Sequence, residues 1–82
     1  MINMKETLMD AENLMKMANQ IGAFFESMPN QEEAQAGIAN HIKKFWDPRM
    51  RKAFLEAIDA KLDTSLDPFV RDAILTHRVA IG

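Results

Sequence analysis

Between Leu14 and Met28 the apolar residues Leu14, Met17, Ala18, Ile21, Phe24, Phe25 and Met28 fall, at 100° per residue, within an arc of roughly 120°. The pattern predicts an amphipathic helix from Asp10 to Ser27 with one core-facing stripe. Pro29 ends it, and Asn30 followed three residues later by Glu33 has the form of a capping box opening a second helix. On that helix Ala34, Ile38, His41, Ile42 and Phe45 share a face, and Lys43 and Lys44 stand near the C-terminal end, where cations suit the helix dipole. Asp47 and Pro48 restart the chain: the carboxylate caps, and proline at the first helical position gives up a hydrogen bond that would be unmade anyway. The third helix is expected to bury Met50, Ala53, Phe54, Ala57 and Ile58. Asp63, Thr64 and Ser65 form a turn, and Asp67 with Pro68 repeats the cap-plus-proline device ahead of a short helix on Phe69, Val70, Ala73 and Ile74.

Strand-like alternation is absent and β-branched residues are sparse, with three glycines and three prolines in 82 residues, so the chain is expected to be all-α, a small four-helix array with short connections. It reads as a single helical domain over 1–82, with 1–13 an extension and 76–82 a tail, both of lower order. The two Asp-Pro pairs are one capping solution used twice rather than a repeat, because RMRKAF and FVRDAI, which follow them, match poorly. Gly22 and Gly37 inside helices each cost about 1 kcal/mol relative to alanine, for which close helix approach would be the compensation. In a chain of this length the gain from burial and the cost of ordering nearly cancel, and there is no cysteine to form a cross-link. The isolated chain is therefore expected to be marginal and to draw stability from a partner.

Composition narrows the chemistry. The absence of cysteine excludes thiolate ligation of iron–sulfur clusters, a thiol nucleophile and disulfides, which fits a reducing compartment. No apolar run approaches the length of a membrane span, and the chain is read as cytoplasmic. His41 and His77 are the two histidines, both on apolar faces, and neither has the converging ligands that a metal site needs. His41 stands four residues before Phe45, so stacking on one helix face is its plainer role. Ser27 and Ser65 lack the context of an activated nucleophile. Met15, Met17 and Met28 read as core filling ahead of an adaptable binding surface. No catalytic, cofactor-binding or metal-ligating residue is assigned.

HIKKFWDPRMRK, residues 41–52, is the informative stretch. It holds Lys43, Lys44, Arg49, Arg51 and Lys52, five of the ten bases, around Phe45 and the sole tryptophan, Trp46. Arg49, Arg51 and Lys52 occupy the first turn of the third helix, where the macrodipole disfavours cations by ~0.3 to 1 kcal/mol each. A local rule broken three times in one turn directs the search for function there. One reading is a solvated basic face neutralised by acids such as Glu56. A second is an anchor for carboxylates on a protein partner, with arginines able to make bidentate contacts and Trp46 at the edge of its apolar face. A third is nucleic-acid binding, since bases beside aromatics form stacking sites, but a net charge of -2 disfavours it. The protein partner is preferred, with Phe45, Trp46, Arg49, Arg51 and Lys43 as the contact residues. Asn19 and Gln20 lie outside the first helix's stripe, as solvent contacts or as polar contacts to the partner.

MANQIGAFF at 17–25, GIANHIKKFWDPRM at 37–50 and LDPFVRDAI at 66–74, in this order and spacing, resemble the delta subunit of cytoplasmic NAD-dependent, molybdenum- or tungsten-containing formate dehydrogenases. The resemblance runs from Leu14 to Leu75; the first two blocks are long enough to be specific. It implies a small non-catalytic subunit of an enzyme that oxidises formate to carbon dioxide with reduction of NAD. It further implies that this subunit docks on the catalytic alpha subunit, to stabilise or assemble the active complex. The partner subunits would carry the bis-guanine-dinucleotide molybdenum or tungsten cofactor, iron–sulfur clusters and FMN, and this chain none. A transient maturation chaperone that helps insert the molybdenum cofactor is the alternative. A nucleic-acid-binding module is less favoured, no membrane partner is expected, and self-association of the isolated chain is left open.

Overall fold

A computed structural model describes residues 4–82, with side-chain environments from residue 11 onward. The described residues form five helices and no strand: α1 (Met4–Glu26), α2 (Gln31–Phe45), α3 (Pro48–Asp59), α4 (Pro68–Thr76) and α5 (Arg78–Ile81). The all-helical expectation holds. The start expected at Asp10 moves to Met4, because KETLMD contains neither glycine nor proline and nothing there stops the helix. Residues 1–3, part of the expected N-terminal extension, lie outside the described residues. Residues 76–82, expected as a looser tail, carry α5, whose Ile81 is fully buried.

Two of the three expected caps form, the Asn30–Glu33 box by its Asn30 half. The Asn30 Oδ1 accepts the Glu33 backbone N–H at 2.9 Å, and the Asp47 Oδ1 accepts that of Arg49 at 2.7 Å, each satisfying a donor that the first turn leaves free. Asp67 departs from its reading, for its side chain makes no capping bond. Asn19 on α1 acts in its place from outside: its Oδ1 accepts the Asp67 N–H at 2.8 Å and its Nδ2 donates to the Ser65 carbonyl at 2.8 Å. One side chain thus pins the α3–α4 loop to the middle of α1. The end of α3 is closed by Lys61 at φ 63°. Its N–H donates to the Ile58 carbonyl and that of Leu62 to the Ala57 carbonyl, a Schellman closure made without glycine.

The core gathers Met15, Ala18, Ile38, Ile42, Phe54, Val70, Ile74 and Ile81 from all five helices. The two helical glycines are where helices meet. A Cβ on Gly22 would collide with the Val70 side chain of α4, and one on Gly37 would stand 2.6 Å from the ring of Phe25 on α1. Several expected core positions are corrected. Phe24 and Phe45 are about three-quarters exposed, and Met28 is exposed because α1 ends at Glu26, so the stripe is not carried past that point. On α3, Leu55 is buried and Ala53 exposed, with Met50 half-buried, so the buried face is turned away from its expected edge. Met15 is fully buried and Met17 packs against the core, as read.

Candidate functional site

The basic–aromatic stretch forms the corner where α2 gives way to α3. Phe45 is the last residue of α2 and Trp46 its C-cap, with extended backbone (φ -86°, ψ 136°) and its N–H bonded to the Ile42 carbonyl at 3.0 Å. That change of backbone sends two neighbouring rings in opposite directions. Trp46 turns inward, 6% exposed, edge-on against Phe54 with centroids 5.2 Å apart and planes at 72°. Phe45 stays outside, 72% exposed, over His41 at 4.8 Å and 42°. The expected pairing of His41 with Phe45 is present.

The cations divide in the same way. Lys43, Lys44, Arg49 and Lys52 are exposed, and among the described residues none of them is ion-paired: the two ion pairs there are Arg71–Asp63 and Arg78–Asp59. Neutralisation by Glu56 is therefore not seen. Arg51 turns back over α5 and donates from Nη1 to the Ile81 carbonyl at 2.7 Å, while its buried Nε has no partner. α3 has no acid in its first turn, whereas α2 opens with Glu32 and Glu33. The corner thus carries four cations without ion pairs among the described residues, while the positive end of α3 is met by the Asp47 carboxylate that caps it.

Of the residues expected at a partner surface, Phe45, Lys43, Arg49 and Gln20 are exposed and remain available. Trp46, Arg51 and Asn19 are engaged inside the fold. Asn19 had a legible signal, a poor helix former in the middle of a helix. The bond from Arg51 to α5 spans 30 residues and had none. Phe24, expected in the core, joins the exposed set at 74% and stands edge-on to Phe25 at 5.2 Å and 89°.

Beside this corner lies a cleft of ≈ 360 Å³ whose walls include Arg51, Lys52, Leu55, Asp59, Arg78 and Ile81. Two of its charges, Arg78 and Asp59, are spent on each other. Arg78 donates from both terminal nitrogens to Asp59, at 2.9 and 2.6 Å. Those hydrogen bonds, with the adjacent negative charge, raise the guanidinium pKa further above its ordinary value. Among the described residues no three histidine, aspartate or glutamate side chains converge as metal ligands, and the chain has no cysteine. No helix among the described residues is long and apolar enough to cross a membrane. What the corner presents to solvent is the Phe45 ring with Lys43, Lys44, Arg49 and Lys52 around it.

The family model described as the NADH-dependent formate dehydrogenase delta subunit FdsD matches residues 13–74, which include the corner, the Asn19 clamp and both glycine contacts. No curated protein and no solved structure matches the chain.

Proposed function

The chain belongs to the family of the NADH-dependent formate dehydrogenase delta subunit FdsD, and from that premise we propose that it is a non-catalytic subunit docking on the catalytic alpha subunit. There it stabilises or assembles a cytoplasmic complex whose other subunits carry the molybdenum or tungsten cofactor, iron–sulfur clusters and FMN. The observation that carries the reading is the α2–α3 corner, where Lys43, Lys44, Arg49 and Lys52 have no ion-pair partner among the described residues. Cations left unneutralised beside an exposed ring on a chain of net charge -2 suit a carboxylate-bearing protein surface. Phe45, Lys43 and Arg49 are the contact residues of this proposal. Trp46, Arg51 and Asn19 serve it indirectly by fixing the corner.

The test is affinity purification of the chain from its native host at moderate salt, with identification of the co-purifying chains and a metal assay. Recovery of the large iron–sulfur and flavin subunits in constant ratio, with molybdenum or tungsten, is the expected result. A cofactor-free large subunit recovered alone would indicate a transient maturation chaperone, and recovery of no formate dehydrogenase subunit would overturn the docking role. Within the intact complex, Lys43→Glu combined with Arg49→Glu is expected to reduce co-purification while leaving helicity unchanged.

A further inference from the structure

The corner is one end of a longer feature. Phe24 lies edge-on to Phe25; Phe25 meets His41 with centroids 6.3 Å apart and planes at 67°; His41 carries Phe45. These four rings form one continuous row across the α1–α2 pair, with exposed phenylalanines at both ends. The row is seated from below, since the Phe25 ring occupies the space that any side chain at position 37 would need. Each exposed ring leaves most of its apolar surface in water. Two such rings, each packed against a neighbour, have less freedom to lose when a partner covers them.

Charge identifies the kind of partner. From Ala34 to Trp46 the chain contains no acid, and Lys44, three residues after His41, stands beside the row on the same helix. Lys44 is exposed and has no ion pair among the described residues. The acids nearest the row along the chain are Glu26, exposed at the end of α1, and Asp47, whose carboxylate accepts the Arg49 backbone N–H as the cap of α3; against them stand Lys44 and Arg49, both exposed and without an ion pair among the described residues. A second copy of this chain is a poor occupant, because a two-fold contact through the row would bring Lys44 of both copies to one interface.

We propose that the row Phe24–Phe25–His41–Phe45, with Lys44 at its edge, is a docking surface for a segment of another subunit of the same complex, one that sets apolar side chains beside carboxylates. This rests on the reading of the chain as a resident subunit and extends the contact from the corner onto α1. Residues on both helices then grip one segment, and the Gly37 contact that holds the helices together also holds the two halves of the surface in register.

The test uses the complete tagged chain expressed with its complex. Phe24→Glu combined with Phe45→Glu is expected to lower recovery of the formate dehydrogenase subunits at least tenfold, with the isolated variant keeping the wild-type circular dichroism. Val79→Glu, at a position 95% exposed on α5, is expected to leave recovery unchanged. A photo-crosslinking residue at position 45 should join a segment of another subunit that contains apolar and acidic residues. Lys44→Glu should weaken the complex, and a lysine in place of an acid in that segment should restore it. Wild-type recovery by a folded Phe24→Glu/Phe45→Glu variant overturns the proposal while leaving the docking role standing. A cross-link from position 45 to a second copy of the chain, or to a segment without acids, overturns it as well. Failure of the wild-type chain to recover any formate dehydrogenase subunit removes the docking role itself and this surface with it.

Discussion

Phe45 and Trp46 are adjacent, aromatic and flanked by cations, and they end in opposite environments, one 72% exposed and the other 6%. The same split separates Arg49, exposed on the first turn of α3, from Arg51, which reaches across to the carbonyl of Ile81. In both pairs the local composition is the same and the direction differs. For the rings the direction is set where α2 stops: a helical Trp46 would lie 100° further round the same cylinder, but its extended backbone swings it onto Phe54. For the arginines it is set by helix phase, two residues being enough to turn a side chain from solvent toward the α5 side of α3. A stretch that reads as one basic–aromatic patch is thus two things: an inward half that locks the α2–α3 corner and the C-terminal helix, and an outward half exposed to solvent.

The largest consequence falls on the inward ring. Trp46→Ala should destabilise the chain by about 3 to 5 kcal/mol, the usual cost of emptying a buried aromatic site, whereas folded proteins of this length hold roughly 4 to 12 kcal/mol in total. Urea unfolding followed by circular dichroism should show most of the transition lost. The native fluorescence of this sole tryptophan, blue-shifted against the urea-unfolded chain, checks its burial independently. A Trp46→Ala chain as stable as the wild type would erase the distinction between the two halves.

The arginine pair gives a smaller effect with opposite signs. Arg51→Ala removes a charge-assisted bond to the Ile81 carbonyl, and since Arg51 is only half-buried the expected loss is about 1 to 2 kcal/mol, below the upper range for bonds to charged groups. Amide exchange at Ile81 and Gly82, whose N–H groups bond to the His77 and Arg78 carbonyls, should rise first. Arg49→Ala removes an exposed cation from the positive end of α3 and should stabilise the chain by ~0.3 to 1 kcal/mol. Equal effects at the two positions would show that Arg51 is not holding α5.

Much of this frame is legible in the sequence because it rests on local rules. The Asn30 and Asp47 caps, the prolines at 29 and 48, the His41–Phe45 pair and the compensation at Gly22 and Gly37 are each a few residues of pattern with one physical meaning. What stayed hidden depends on distant partners. The clamp from Asn19 to Ser65 and Asp67 joins residues 46 and 48 positions apart, and its effect is to make the Asp67 side-chain cap unnecessary. The C-terminal helix has only four residues and no helical periodicity to read; it is held by Arg51 and by the burial of Ile81. The stripe on α1 placed Phe24 and Phe25 together on the core side. Two successive residues lie 100° apart on a helix, however, so a glycine-made seat for one leaves the other outside.

The outward ring supplies the smallest effect and the sharpest check. Phe45→Ala removes a side chain that is mostly in water and whose described ring contact is with His41 at i−4. Such a helix-surface pair contributes about 0.2 to 0.5 kcal/mol, and alanine, the better helix former, returns a similar amount at the last position of α2. The two terms nearly cancel, so the urea midpoint should stay within about 0.5 kcal/mol of wild type in the isolated chain. Within the complex the same substitution should cost far more, because a ring buried at the centre of an interface commonly contributes ~2 kcal/mol or more to binding. The comparison therefore turns on two measurements of one variant. Stability loss without loss of binding would make Phe45 an ordinary packing residue, while loss of binding at constant stability separates the outward half of the corner from the inward half by function as well as by position.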